Sequence, residues 1–215
     1  MSDETVTPDA VTAAVVRSGV VAILRAPTAD YFAAVATVLA ESGITAMEIT
    51  LTSRGAIEAI AGLRRQLPAS VAIGAGTVLT LDDAKAAVDA GASFLVSPVL
   101  DVELIGASPV PFIPGTRTPT EIYAAHRAGA PLVKLFPAGN LGPGFLRDVR
   151  GPLPQVGIMP TGGVKIEDIA DWLFAGAKAV GVGSPLIGDA TTGGSLEALR
   201  ARAKHAMSAV TFARA

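Results

Sequence analysis

The chain predicts a single α/β domain, a closed (β/α)8 or TIM barrel with a short N-terminal helix. Three observations predict it. Short apolar runs bounded by turn residues alternate with helix-period segments along the chain, which implies a parallel sheet. Eight such units follow one another with short connections, favouring closure over an open doubly wound sheet, the structural alternative. A helix-ending glycine also precedes every second strand, at Gly43, Gly91, Gly129 and Gly176.

Each element has a local reason. Residues 1–10 read as a flexible tail, and Val11 to Ser18 as a helix covering one end. Val20–Leu24 is the first strand, ending on Arg25. Thr28 is placed to cap a helix with Phe32, Val35, Ala36 and Leu39 on one face, stopped by Gly43. Ala46–Thr50 is the second strand, followed by a helix over 56–66 that Pro68 ends. Val71–Ala75 runs into Gly76 and Thr77, then a helix over 82–90. The fourth strand is Ser93–Ser97, with a weak helix over 100–105. The fifth is Pro111–Ile113, before a helix over 119–127 capped by Thr118. Leu132–Phe136 is the sixth strand, with a helix near 145–149. The seventh is Val156–Met159, followed by a helix over 166–174. The eighth is Ala179–Gly183, and a helix over 195–210 closes the chain. No change in composition marks a second domain across 1–215.

Composition narrows the function. Half the residues are hydrophobic, 17% are charged and 5% are aromatic, so small and branched side chains build the core. Net charge is −2 and the basic residues are scattered, which argues against nucleic acid. No apolar run reaches membrane-span length, and the N-terminus, Met1-Ser2-Asp3-Glu4, is unlike a signal peptide. Cytoplasmic residence is the expectation. With no cysteine and two histidines, neither a thiolate nor a histidine-rich metal site is expected.

The sixth strand carries the chemistry. Lys134 stands within Leu132-Val133-Lys134-Leu135-Phe136. Apolar neighbours disfavour an ammonium, and a neutral lysine amine forms Schiff bases with carbonyl substrates. Glu48 is a second charge inside an apolar strand. Glu48 and Lys134 each lie five residues past a repeat glycine, which places them in one interior layer on opposite walls. A counter-ion pair and an acid–base pair are both compatible with that placement. Thr161-Gly162-Gly163 and Gly181-Val182-Gly183-Ser184 end strands seven and eight, where barrels bind phosphate on backbone N–H groups. Arg25 and Thr77, at the same rim, suit a substrate carboxylate, with Arg54 and Arg117 as alternatives.

Together these segments resemble a known family. Ile23-Leu24-Arg25, Met47-Glu48-Ile49-Thr50, Gly74-Ala75-Gly76-Thr77, Pro114-Gly115, Val133-Lys134-Leu135-Phe136-Pro137 and Pro160-Thr161-Gly162-Gly163-Val164 are similar to the 2-keto-3-deoxy-6-phosphogluconate (KDPG) aldolase family. That family includes 4-hydroxy-2-oxoglutarate and 2-keto-3-deoxy-6-phosphogalactonate aldolases. The resemblance runs from about Val20 to Ile187. It implies a metal-free, cofactor-free class I aldolase, a homotrimer, acting on a phosphorylated keto acid to give pyruvate and glyceraldehyde 3-phosphate. Lys134 then matches the Schiff-base lysine and Glu48 the general acid/base. Arg25 and Thr77 match carboxylate contacts, and Phe136 and Thr161 match pocket residues. Gly162, Gly163, Gly183 and Ser184 match the phosphate loops. One position departs: some members carry an arginine four residues past the glutamate, where this chain has Thr52, with Arg54 two further on. A phosphate-binding barrel isomerase or synthase without an imine, and a non-catalytic barrel, are the rival classes.

Overall fold

The computed structural model describes residues 8–215. Of the expected tail over 1–10, residues 1–7 lie outside the described residues, and 8–10 belong to α1 (Pro8–Ser18). Proline suits the first turn of a helix and Asp9 complements its positive end, so the helix starts three residues earlier than Val11.

Strands β1 (Val20–Leu24), β2 (Ala46–Thr50), β3 (Ala72–Gly76), β4 (Phe94–Val96) and β5 (Phe112–Ile113) pair in parallel in that order. On its other side β1 pairs with β9 (Val180–Val182). A second set comprises β6 (Gly115–Thr116), β7 (Val133–Leu135) and β8 (Ile158–Pro160). Two seams join the sets into a barrel. A parallel bridge, Thr161 to Gly181, links the ends of β8 and β9. At the other seam the predicted fifth strand, Pro111–Ile113, holds β5 alone, and Pro114, which has no N–H to give a ladder, separates it from β6, a strand the sequence reading did not expect. β5 pairs with β4, β6 pairs with β7, and the Pro114 carbonyl accepts from Lys134 N at 2.8 Å.

Between strands run α2 (Phe32–Glu41), α3 (Ala56–Gln66), α4 (Leu81–Asp89), α5 (Val102–Ala107), α6 (Pro119–Arg127), α7 (Gly142–Arg150), α8 (Ile169–Phe174) and α9 (Ser184–Ile187). A 3-10 turn at Ala190–Thr192 and the long α10 (Leu196–Arg214) complete the chain. Thr118 caps α6 as expected, within a capping box closed by Glu121. The backbone N–H groups of Arg117 and Thr118 and the Thr118 hydroxyl hold the Glu121 carboxyl below the usual carboxylate range. Thr28 does not cap α2, whose entry residue is Tyr31. Residues 27–29 instead run extended beside Arg54, with Ala29 N donating to Arg54 O at 3.0 Å and Arg54 N to Pro27 O at 3.2 Å. The Thr28 hydroxyl donates to Asp30.

Alternation along each strand sorts the apolar residues into two cores. Outward residues such as Leu24, Met47, Ile49, Ile73, Leu95, Val133, Leu135 and Val180 pack beneath the helices, against Val35, Leu39, Ile60, Trp172 and Leu199. Inward residues Val21, Ala46, Ala72, Phe94, Val96, Ile113, Leu132, Met159 and Ala179 fill the lower barrel, joined by Val11 and Val15 of α1. Each fully buried large side chain contributes about 1.5–3 kcal/mol to folding. The interior is thus solid below, and the strand ends above it carry the polar residues.

Candidate active site

In β7, Val133 and Leu135 face the helices while Lys134 turns inward. Lys134 is 4% exposed and Glu48 fully buried, and Nζ lies 3.8 Å from Glu48 Oε1. Neither Glu48 oxygen accepts a hydrogen bond from the described residues. An ion pair too long for a hydrogen bond leaves both groups free to engage a third partner between them. The Lys134 amine also stands 5.1 Å from the Phe136 ring centroid, within cation–π range.

Glycines make this pair possible. A Cβ on Gly76 would overlap the Glu48 carboxylate, and one on Gly181 would overlap the Thr161 hydroxyl. The strand-end glycines therefore clear room for functional side chains as well as for a ligand.

Above the pair opens a cavity of about 240 Å³. Its floor is Glu48, Lys134 and Thr161, with Phe136 on one wall. Gly162 and Gly163, both at φ +80°, form one lip, and Gly183 and Ser184 the other. A Cβ on Gly162 would lie 2.8 Å from the Phe136 ring, so the lip requires glycine for contact as well as for conformation. Arg25 reaches the same cavity from the end of β1, exposed to solvent. Its Nη2 donates to Thr77 Oγ1 at 3.4 Å. Thr77 sits at φ +61°, a costly conformation for a β-branched residue, and does not itself line the cavity. Arg54 faces a separate cleft with Glu58, Asp82 and Asp83. Arg117 donates to the Pro137 carbonyl at 3.0 Å.

Gly181, part of the expected phosphate segment, lines the cavity too, as do Ile23, Val164, Pro185, Ile187 and Gly188, which were not expected as site residues. Ile23 had a usable signal, since it stands two residues before the candidate Arg25. The turn at 185–188 has no pattern that distinguishes it from an ordinary loop.

A family model described as KDPG and KHG aldolase matches residues 11–198. The chain is 37% identical over 170 residues to the probable 2-dehydro-3-deoxy-6-phosphogalactonate aldolase of Rhizobium meliloti, covering 77% of this chain and 80% of that one. It is 43% identical over 139 residues, 63% of each chain, to the 2-dehydro-3-deoxy-phosphogluconate aldolase of Pseudomonas aeruginosa. The structure of KDPG aldolase from Legionella pneumophila, with pyruvate captured at low pH as a covalent carbinolamine intermediate, matches at TM-score 0.81 and 30% identity. That match covers 94% of this chain and 98% of that one. Fold and relatives together define an aldolase, a carbon–carbon lyase on a (β/α)8 barrel. Within that class, the chain belongs to the KDPG and KHG aldolase family.

Among the described residues, no helix is long and apolar enough to cross a membrane.

Proposed function

We propose that this chain is a Schiff-base aldolase that cleaves 2-keto-3-deoxy-6-phosphogluconate to pyruvate and glyceraldehyde 3-phosphate. The observation that carries the reading is the buried Lys134 amine, 3.8 Å from a buried carboxylate, at the floor of a glycine-lipped cavity.

The neutral amine of Lys134 attacks the C2 ketone, and loss of water gives an iminium ion. Its positive nitrogen draws electrons from the chain of the substrate. Glu48 removes the C4 hydroxyl proton, the C3–C4 bond breaks, and the aldehyde departs. The remaining enamine takes a proton back from Glu48 at C3. Water then attacks the iminium carbon and frees pyruvate and the amine. Because its oxygens accept no hydrogen bond from the described residues, Glu48 is available for both transfers.

The other residues orient the substrate. Gly162, Gly163, Gly183 and Ser184 present the lips to the phosphate, whose binding holds C4 in place from a distance. Phe136 and Thr161 bound the keto-acid end. Arg25 holds the carboxylate, with Thr77 steadying the guanidinium; Arg25 lines the cavity and Arg54 does not, which supports Arg25 over Arg54. The working form is proposed as a cytoplasmic homotrimer, measurable by sedimentation in the purified state.

The test is borohydride reduction in the presence of pyruvate. A stable mass adduct on Lys134 is expected; an enzyme that leaves Lys134 unmodified is not an imine-forming aldolase. A second reading, cleavage of the galactonate-derived epimer, is favoured by the name of the Rhizobium relative. Comparing kcat/KM on the two epimers distinguishes them.

A further inference from the structure

Among the buried hydroxyls without a role in the chemistry above, two stand together beside Arg25: Thr50, fully buried, and Ser53, 2% exposed. Both lie where β2 ends. Thr50 Oγ1 donates to the Leu24 carbonyl at 3.2 Å. Ser53 Oγ accepts from the Ala26 backbone N–H at 3.1 Å. The two hydroxyls stand 3.4 Å apart, and Thr52 Oγ1 donates to Thr50 Oγ1 at 3.3 Å. The backbone groups they hold belong to the residues immediately before and after Arg25.

We infer that Thr50 and Ser53 are positioning residues for Arg25, clamping its backbone from both sides so that its guanidinium meets the substrate carboxylate. Arg25 needs such a clamp. It is exposed, β1 has already ended at Leu24, and the one side-chain hydrogen bond shown for its guanidinium is the 3.4 Å contact to Thr77. A long side chain on a free loop would lose its order as binding demands it, and that loss weakens affinity. The same loop is fastened further on by the Pro27–Arg54 and Ala29–Arg54 backbone bonds. Those fix the loop as a whole, whereas the hydroxyls fix the two peptide units that aim Arg25. Thr50 of this clamp ends β2, the strand that also carries Glu48.

The inference rests on Arg25 binding the carboxylate, and its test separates the two claims. Steady-state kinetics on the phosphorylated keto acid compare Ser53→Ala, Thr50→Val, Thr50→Ser, Arg25→Met and the Ser53→Ala/Arg25→Met double variant. Ser53→Ala and Thr50→Val are expected to raise KM about tenfold, the effect of about one lost charge-assisted contact. Their kcat stays within about threefold, since the reacting atoms are untouched. Thr50→Ser, which keeps the hydroxyl, stays near wild type, and Ser53→Ala carries the test if Thr50→Val does not fold. The double variant is no worse than Arg25→Met alone, because a clamp without its arginine has nothing to aim. Penalties that add in the double variant, or a fall in kcat at unchanged KM, overturn the inference. Wild-type KM in Arg25→Met overturns it together with the arginine's role and leaves the imine at Lys134 standing. An unmodified Lys134 in the borohydride experiment removes the aldolase reading itself.

Discussion

The lower and upper halves of the barrel are built from the same strands, and they use the interior in opposite ways. Below, Val21, Ala46, Ala72, Phe94, Leu132 and Met159 fill the space completely, and Gly74 gives up its side chain to admit the Phe94 ring. Above, at the next inward positions, stand Glu48 and Lys134, with Gly76 and Gly181 hollowed around Glu48 and Thr161. The lower half supplies close packing, which resists deformation. The upper half carries a buried ion pair without hydrogen bonds to Glu48 from the described residues, and a strained backbone at Thr77, which that rigidity keeps in place. Glycine serves both, admitting a ring in one and a carboxylate in the other.

The contrast makes separable predictions. Lys134→Met is expected to lose roughly four orders of magnitude or more in turnover, since the covalent route disappears. Its fold should survive, as circular dichroism and thermal melting would check. Phe94→Ala should do the reverse. Truncating a fully buried ring costs about 3–5 kcal/mol of stability, measurable by urea unfolding, while kcat per folded molecule stays near wild type. A Phe94→Ala enzyme that stays stable but inactive would break the division between the halves. Glu48→Gln should lower kcat by about 10²–10⁴, the usual worth of a general acid–base group, while pyruvate still forms a trappable adduct.

The smallest effect lies on the outer layer, at Glu121. Its carboxyl is held below the ordinary value of 4.5 in the folded chain. A depressed folded value means its stabilisation is present above about pH 4.5 and is lost as pH falls through the folded value. Glu121→Gln should therefore flatten the acid limb of the stability–pH profile slightly without altering kcat at neutral pH.

Much of this architecture was legible because a buried parallel strand leaves an unbroken apolar run, and a charge inside such a run stands out. Lys134 and Glu48 were visible for that reason, and the glycine spacing gave their shared interior. What the sequence did not show depends on pairing across the chain. Pro114 splits one strand between two neighbours, yet locally Phe112–Thr116 reads as a strand running into a turn. Thr28 has the chemistry of a cap, but the extended pairing beside Arg54 claims its segment first. The role of Gly76 was equally hidden, because a glycine that yields space to a neighbouring strand looks like any turn glycine until register is known.

Helix α1 seats Val11 and Val15 against the foot of the barrel, so among the described residues the chamber is a vessel closed at the bottom, with its door at the glycine lips. Substrate enters and both products leave by the same opening. In the proposed mechanism the aldehyde carries no covalent tether once C3–C4 breaks and leaves first, while pyruvate is still held on the lysine. An inhibitor that wedges in the doorway behind bound pyruvate would hold the enzyme as its covalent adduct.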